Sequence, residues 1–385
     1  MRVLIVLTYY RPHVSGLTIY VERLASELAA RGHQVTVLTS QHDRDLPRRE
    51  VINGVTVERV PVLARISKGV LMPIAWHAMR RARDHDVLSI HLPQFDGGLV
   101  AIAARLARRR AVLTYHCDLR LPRGLVNRVA DAVTFAMNWV AASVAHDIVA
   151  YTDDYARHSS LLRRFPRKIS VVPPPVVMGT PDPDRVDELR RTWGANGGPV
   201  IGSAARLATE KGVEYLVAAM PNVIEQLPGA RVAFAGAFDN VVGEQHYRQS
   251  LQPAISGLGD RWRFLGVLEQ SAMADFFGAL DVLVVSSINS TESFGLVQVE
   301  AMLCGTPVVA TALPGVRQPV LMTKMGQVVP VADGAALAAA IVDVCQHRDA
   351  YVRPRHEVAA MFDLDATVDA YERLFVGEKP AAVAA

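Results

Sequence analysis

Residues 282–311 read VLVVSSINSTESFGLVQVEAMLCGTPVVAT. The stretch opens on an apolar, valine-rich run at 282–286. It crosses a polar loop and enters a helix over 296–304. It closes on a second apolar run at 307–311. Two strands joined by a helical crossover lie parallel in one sheet, and Val-rich runs suit strands covered on both faces. The segment therefore predicts one unit of a doubly wound α/β sheet.

The same alternation extends outward in both directions. Further strands are expected at 199–204, 230–235, 262–266 and 327–330, with helices at 213–226, 270–279 and 335–345. Toward the N-terminus, strands are expected at 2–8, 34–39, 55–60, 87–91, 111–116 and 147–152, with helices at 18–31, 99–108 and 125–145. Between the two series lies KISVVPPPVV at 168–177. Its three prolines cannot continue a central ladder, which marks a domain junction. The expected organisation is a first Rossmann-like domain over 1–175, a second over 176–365, and a partly helical tail over 366–385 that packs back on the first, with 379–385 frayed. Ligands of such sheets sit outside the carboxyl ends of the strands, so two facing domains would enclose a cleft for a two-substrate reaction.

At 385 residues the chain exceeds the size of one hydrophobic core, in agreement with two domains. Half of it is hydrophobic and 21% charged, which excludes a disordered chain. The net charge of +3 indicates no nucleic-acid partner. The basic excess is local: residues 59–128 hold 13 Lys or Arg against 4 Asp or Glu, a balance that attracts anionic lipid headgroups or any other polyanion, unless these are simply solvated arginines. Residues 68–83, KGVLMPIAWHAMRRAR, mix apolar side chains with a terminal basic cluster and are the expected membrane-facing segment. No run of 18 apolar residues occurs, and 2–8 is too short for the apolar core of a leader. Cys117, Cys304 and Cys345 form no disulfide framework, which fits a cytoplasmic location, peripheral on the inner face of the plasma membrane.

The chemistry gathers at 290–306. The unpaired amides of Gly295, Leu296 and Val297 at a helix start form an anion site suited to a diphosphate. Glu292 would then reach the hydroxyls of a sugar carried on that diphosphate, and Glu300, further along the helix, would accept from ribose hydroxyls.

With Glu292 and Glu300 spaced as E-x7-E and followed by AMLCGTPVVA at 301–310, the segment resembles the large retaining GT-B group known as glycosyltransferase family 4. AARLATEKG at 204–212 is similar to that family's GRLxxEKG segment, with Ala205 in place of glycine. The resemblance implies that Arg206 and Lys211 converge on the diphosphate and neutralise it as a metal ion does elsewhere. It also implies donor contacts at Gly266 and Val267, where the base is received, at Phe294, Gly295, Leu296 and Val297, and at Gly16, with Ser15 beside it in place of a second glycine. Gly236 is a weaker match. His116, in TYHCD at 114–118, resembles a TxHD position with Cys117 inserted, and would bond the transferred sugar or shape the reaction centre. His91 is a weaker candidate of the same kind. The expected set is thus His116, Glu292, Arg206 and Lys211 for catalysis, with no metal and no cofactor beyond a UDP- or GDP-linked sugar. No DxD motif is present, and Asp153-Asp154 reads as a helix start.

The implied activity is hexosyl transfer with retention, to a lipid or lipid-linked glycan in cell-envelope glycolipid or polysaccharide synthesis. A small soluble, phosphorylated acceptor is the alternative. A non-hydrolysing nucleotide-sugar epimerase and a non-catalytic nucleotide-sugar-binding module are readings of other classes.

Overall fold

The computed structural model describes residues 1–66, 69–120, 124–193 and 197–380. The chain divides into two compact units: unit 1 comprises Met1–Pro175 and Asp363–Ala385, and unit 2 is Val176–Phe362.

Unit 1 holds strands β1 (Arg2–Val6), β2 (Gln34–Gln41), β3 (Arg49–Ile52), β4 (Val55–Pro61), β5 (Ala64–Ile66), β6 (Gly69–Leu71), β7 (Val87–Leu92), β8 (Arg110–Tyr115), β9 (Asp147–Ala150) and β10 (Ile169–Val171). Its main sheet has the order β10-β9-β8-β7-β1-β2-β4-β3. Seven of these strands run parallel, and β3 pairs antiparallel with β4. The expected strand set lacked β3. Its cause is local: Asn53 and Gly54 both have positive φ, at 49° and 79°, and turn Ile52 back onto Val55 in the two-residue geometry that Asn-Gly favours.

Helices α1 (Gly16–Ala30), α2 (Ile74–Ala82), α3 (Gly97–Leu106), α4 (Leu125–Val144) and α5 (Asp153–His158) connect these strands. The period-2 alternation of each strand sorts the two faces. Leu88, Ile90 and Leu92 of β7 and Leu113 and Tyr115 of β8 join the core built with α2, α3 and α4. Ser89, His91, Thr114 and His116 point the other way, toward Tyr20 of α1. Of the segment expected at 68–83, α2 accounts for the helical part and starts directly after Pro73; Lys68 lies outside the described residues. Arg81, one of its basic residues, is held by Glu58 at 2.8 Å.

Unit 2 holds strands β11 (Val200–Ala204), β12 (Arg231–Ala235), β13 (Trp262–Gly266), β14 (Val282–Val285), β15 (Val308–Thr311) and β16 (Gly326–Val329), all parallel, in the order β13-β12-β11-β14-β15-β16. The helices are α6 (Pro183–Thr192), α7 (Val213–Gln226), α8 (Gln245–Gly257), α9 (Gln270–Gly278), α10 (Leu296–Leu303), α11 (Gln318–Thr323), α12 (Gly334–Gln346), α13 (Arg348–Tyr351) and α14 (Arg355–Met361). Ile201, Phe234, Val284 and Val309 from the sheet close a core with Leu216 and Met220 of α7 and Ile341 of α12. The chain then re-enters unit 1 as α15 (Leu364–Val376), where Tyr371 packs on Tyr20. Of the expected frayed end, Lys379 donates to the Arg167 carbonyl at 2.8 Å, and 381–385 lie outside the described residues.

Candidate active site

Each sheet reverses its strand order once, between β11 and β14 in unit 2 and between β1 and β7 in unit 1. Loops leaving two strands on either side of such a point diverge and leave a crevice for a ligand.

In unit 2 the two motif-bearing loops flank this point. The loop after β11 carries Arg206 and Lys211; the loop after β14 carries Glu292 and Gly295. Backbone bonds tie them together. The Ile288 amide donates to the Glu210 carbonyl at 3.1 Å, and Ser286 Oγ donates to the Lys211 carbonyl at 2.9 Å. Gly212 is required for this approach: it has φ +59°, and a Cβ there would collide with the Ser286 carbonyl. As a result the Lys211 ammonium forms an ion pair with the Glu292 carboxylate. Arg206 does not join them in this arrangement. It leans on Glu210 at 3.1 Å with half of its side chain exposed.

α10 begins at Gly295, which has φ +77° and provides no side-chain cap. Its first amides therefore face outward as anion donors. Phe294 departs from expectation. Its ring is 1% exposed and packs on Phe362 at 5.8 Å, so the side chain anchors the helix start in the core and only its backbone is near the site. Gln298 reinforces that anchor, donating to the Phe294 carbonyl at 2.7 Å and to the Val316 carbonyl at 2.9 Å. Glu300 lies on the same helix and is largely buried.

The far side of this crevice is backbone. The Gly236 amide donates to the Gly266 carbonyl at 2.7 Å, which joins the ends of β12 and β13. Gly236 has φ +136°, and a Cβ there would overlap the Ala205 carbonyl, so the weak sequence match carries a firm steric requirement. Val267 projects into solvent beside Gly266, and Phe264 stacks on Phe238 with centroids 4.3 Å apart.

In unit 1 the crevice between β1 and β7 is a cavity of about 190 Å³ whose walls are mostly apolar. Thr8, Tyr9 and Ser15 line one side, and Gln94, Phe95 and Cys117 the other. Gly16 opens α1 here. Ser15 is its cap: Ser15 Oγ accepts from the Thr18 amide at 3.2 Å, and Thr18 Oγ1 accepts from the Ser15 amide at 2.7 Å. That box explains why serine serves where a second glycine was expected. Gln94 was not among the expected site residues. It is 4% exposed, and among the described residues neither its amide nitrogen nor its amide oxygen has a partner. A buried amide left unsatisfied is costly, and this one lines the cavity, which makes it a candidate for a ligand contact. Only the topology could have found it, because nothing in PQFDG at 93–97 signals that this glutamine sits at the switch point. Next to it, burial pushes the Asp96 carboxyl up to about 7.

His116 belongs to a buried network on the opposite face of β8. Its Nε2 bonds His91 Nδ1 at 2.9 Å, and its Nδ1 bonds the Tyr151 hydroxyl. His91 Nε2 bonds Ser89 Oγ at 3.2 Å. Tyr371 links Thr114 at 2.6 Å and Tyr20 at 2.7 Å. Burial holds both imidazoles neutral: His91 is lowered to about 3, and His116 well below its ordinary value, with His91 adding to the effect. With both ring nitrogens engaged inside unit 1, His116 could bond a sugar only by releasing one of these partners. Asp118, the motif's other polar member, accepts from Tyr115, Ser159 and Ser160 at 2.8–2.9 Å and ties β8 to the chain after α5.

Residues 198–347 match the family described as Glycosyl transferases group 1, and residues 15–175 match the Glycosyl transferase 4-like domain. The chain is 31% identical to 2-deoxystreptamine N-acetyl-D-glucosaminyltransferase of Streptomyces fradiae, over 94% of this chain and 92% of that protein. It is 27% identical to the phosphatidyl-myo-inositol mannosyltransferase of Mycobacterium leprae, over 97% and 96%. Among solved structures, HepE of Anabaena in complex with UDP and glucose superposes with a TM-score of 0.79 at 20% identity, over 98% of this chain and 99% of that one.

Proposed function

The chain belongs to the group 1 glycosyltransferases of family 4, with the GT-B fold, and we propose that it moves a hexose from a UDP- or GDP-sugar to a lipid-linked acceptor, with retention and without a metal ion. The observation that carries this reading is the Lys211–Glu292 pair at the unit 2 switch point, beside the uncapped start of α10. An ammonium has three donors, so Lys211 can hold Glu292 and still bond a phosphate oxygen. As the donor breaks, negative charge grows on the departing diphosphate. Lys211 and the α10 amides are positioned to stabilise it, with Arg206 joining once it leaves Glu210. Glu292 holds the sugar hydroxyls. Retention by double displacement needs a carboxylate nucleophile on the face opposite the leaving group. Glu292 is instead committed to sugar hydroxyls and Lys211, which supports front-face substitution, in which the leaving phosphate takes the acceptor's proton.

The unit 1 cavity is the proposed acceptor pocket. Its apolar walls suit the hydrocarbon part of a lipid acceptor, and the Gln94 amide suits a hydroxyl on its headgroup. This reading places the protein at the inner face of the plasma membrane. The mannosyltransferase relative, named for phosphatidyl-myo-inositol, favours it. A small soluble acceptor is the second reading, favoured by the modest size of the cavity and by the relative named for 2-deoxystreptamine.

The first test is a thermal-shift series with UDP, GDP and ADP, then their sugar derivatives, each with and without EDTA. A ligand that binds only the folded state raises the melting temperature. One nucleotide should give a clear rise that EDTA leaves intact. A rise abolished by EDTA would refute metal-free binding, and no rise with any nucleotide would refute the donor site.

Gln94→Ala should raise the acceptor KM about tenfold, the effect of roughly 1.4 kcal/mol from one lost hydrogen bond. The nucleotide-induced thermal shift should be unchanged. An unaltered KM for every accepted substrate would remove Gln94 from the acceptor pocket.

A further inference from the structure

Surface helices normally turn apolar side chains inward. In unit 1, α4 largely does the reverse and α3 does so in part. α4 buries Ala130, Thr134, Asn138, Ala141 and Ala142, and exposes Leu125, Val129, Val133, Phe135 and Trp139. α3 buries Gly97, Gly98, Val100, Ala101, Ala103 and Ala104, and exposes Leu99, Ile102 and Leu106. The small inward residues have a packing cause. A Cβ on Gly98 would press on the Met137 carbonyl at 2.8 Å and on Val140 at 3.0 Å, so the two helices meet backbone to backbone. That contact accounts for the glycines and alanines inside; it does not account for large apolar residues outside. α2 adds Trp76, 58% exposed.

The charge around this face has one sign. α3 contains no acidic residue, and α4 contains only Asp131, which is half-buried. The margin is arginine. Arg80 lies over the Trp76 ring at 5.3 Å, and Arg164 over the Phe135 ring at 6.0 Å. Beyond Leu106 the surface opens into a cleft of about 530 Å³ lined by Arg105, Arg108, Arg109, Arg110 and His146. Among the described residues no helix is long and apolar enough to cross a membrane. An apolar face with aromatic side chains, rimmed by cations on helices not long and apolar enough to span, is the pattern of a surface that lies in the interface of an anionic bilayer.

We propose that the outward faces of α3 and α4, with Trp76 of α2, dock unit 1 on anionic lipid, and that the arginine cleft beyond Leu106 takes the lipid phosphates. This deepens the reading of a lipid-linked acceptor and rests on it for its purpose, but not for its test. The basic cluster at 80–83 contributes Arg80 to this margin, while Arg81 is engaged by Glu58 and, in the cleft, Arg110 by Asp147.

The test is flotation of the full chain with phosphatidylcholine vesicles containing 30% phosphatidylglycerol, against pure phosphatidylcholine. The wild type should float with the anionic vesicles, and at least tenfold less with the neutral ones. The triple variant Leu106→Ser, Leu125→Ser, Val129→Ser should lose at least tenfold in binding with an unchanged melting temperature, because these side chains are mostly exposed. Arg105→Glu with Arg108→Glu and Arg109→Glu should lose binding to the anionic vesicles most strongly at low salt. The proposal is overturned if the wild type stays off anionic vesicles or if the serine variant floats like wild type. It is equally overturned if light scattering shows a wild-type dimer that the serine substitutions split, since a second copy would then cover this face. The nucleotide-induced thermal shift, measured on the same samples, separates this result from the fate of the transferase reading.

Discussion

Lys211→Ala and Glu292→Ala are each expected to lower kcat by about 10²–10³-fold, the scale of removing one preorganised group from a developing charge. The two side chains come from loops on either side of one crevice and meet as an ion pair. Each would act most strongly after the bond to the diphosphate begins to break, so kcat should fall more than donor KM rises. Both are only partly buried, and the melting temperature should drop by a few degrees at most, equivalent to about 1 kcal/mol. Glu292→Gln separates charge from hydrogen bonding. It keeps a group that can bond sugar hydroxyls, and should retain more activity than Glu292→Ala. Near-normal turnover in either alanine variant would remove that residue from the catalytic set. Arg206→Ala is expected to do less than Lys211→Ala, since Arg206 is half exposed and engaged with Glu210.

The second large effect is on stability. Between about pH 4.5 and 6, unit 1 should lose about 1.4 kcal/mol per pH unit for each net proton that unfolding takes up. His91 and His116 are neutral in the fold, with values held far below 6.5, whereas in the unfolded chain both gain a proton as pH falls through 6.5. Their contribution is therefore complete above that pH and is lost on acidification. Asp96 acts in the opposite sense. Its folded value of about 7 exceeds the unfolded 3.8, so in this window the folded state holds a proton that the unfolded state does not. Two protons against one leave a net uptake of about one on unfolding. His42 and His146, also lowered by burial, add in the histidine direction. Asp96→Asn removes the opposing proton and should bring the slope to about 2.7 kcal/mol per pH unit. Amide exchange of β7 and β8 across this pH range reads unit 1 directly. A flat profile, or an Asp96→Asn profile parallel to wild type, would contradict these assignments.

The origin of the site in the sequence differs between the units. In unit 2 the chemistry and the fold share one segment. The residues that make β14, α10 and β15 are those that carry Glu292, Gly295 and Glu300, so the reading of 282–311 held both. Lys211 was legible for the same reason, as its segment directly follows a recognisable strand. The side-chain orientations of Arg206 and Phe294 were not: one guanidinium has several anionic partners within reach, and whether a ring at a helix start faces ligand or core depends on a distant residue, Phe362. In unit 1 the motif around His116 was legible as a strand end. Its partners are His91, Tyr151 and, through Tyr20, Tyr371 of the last helix, and separations of that length leave no periodic trace in the chain.

By itself the sequence determined the parallel α/β class, the positions of most strands and helices, and the two segments that carry Glu292 and Lys211, because period, strand length and local motif are short-range properties of the chain. Only the tertiary structure decided which side of α3 and α4 faces out. Their composition suits a buried helix on either side, and the choice was made where Gly98 let two backbones meet, which left most of the large apolar residues outside and Val100 within. It likewise decided that Gln94 has no partner among the described residues, because whether a buried amide is satisfied depends on what the rest of the fold brings to it.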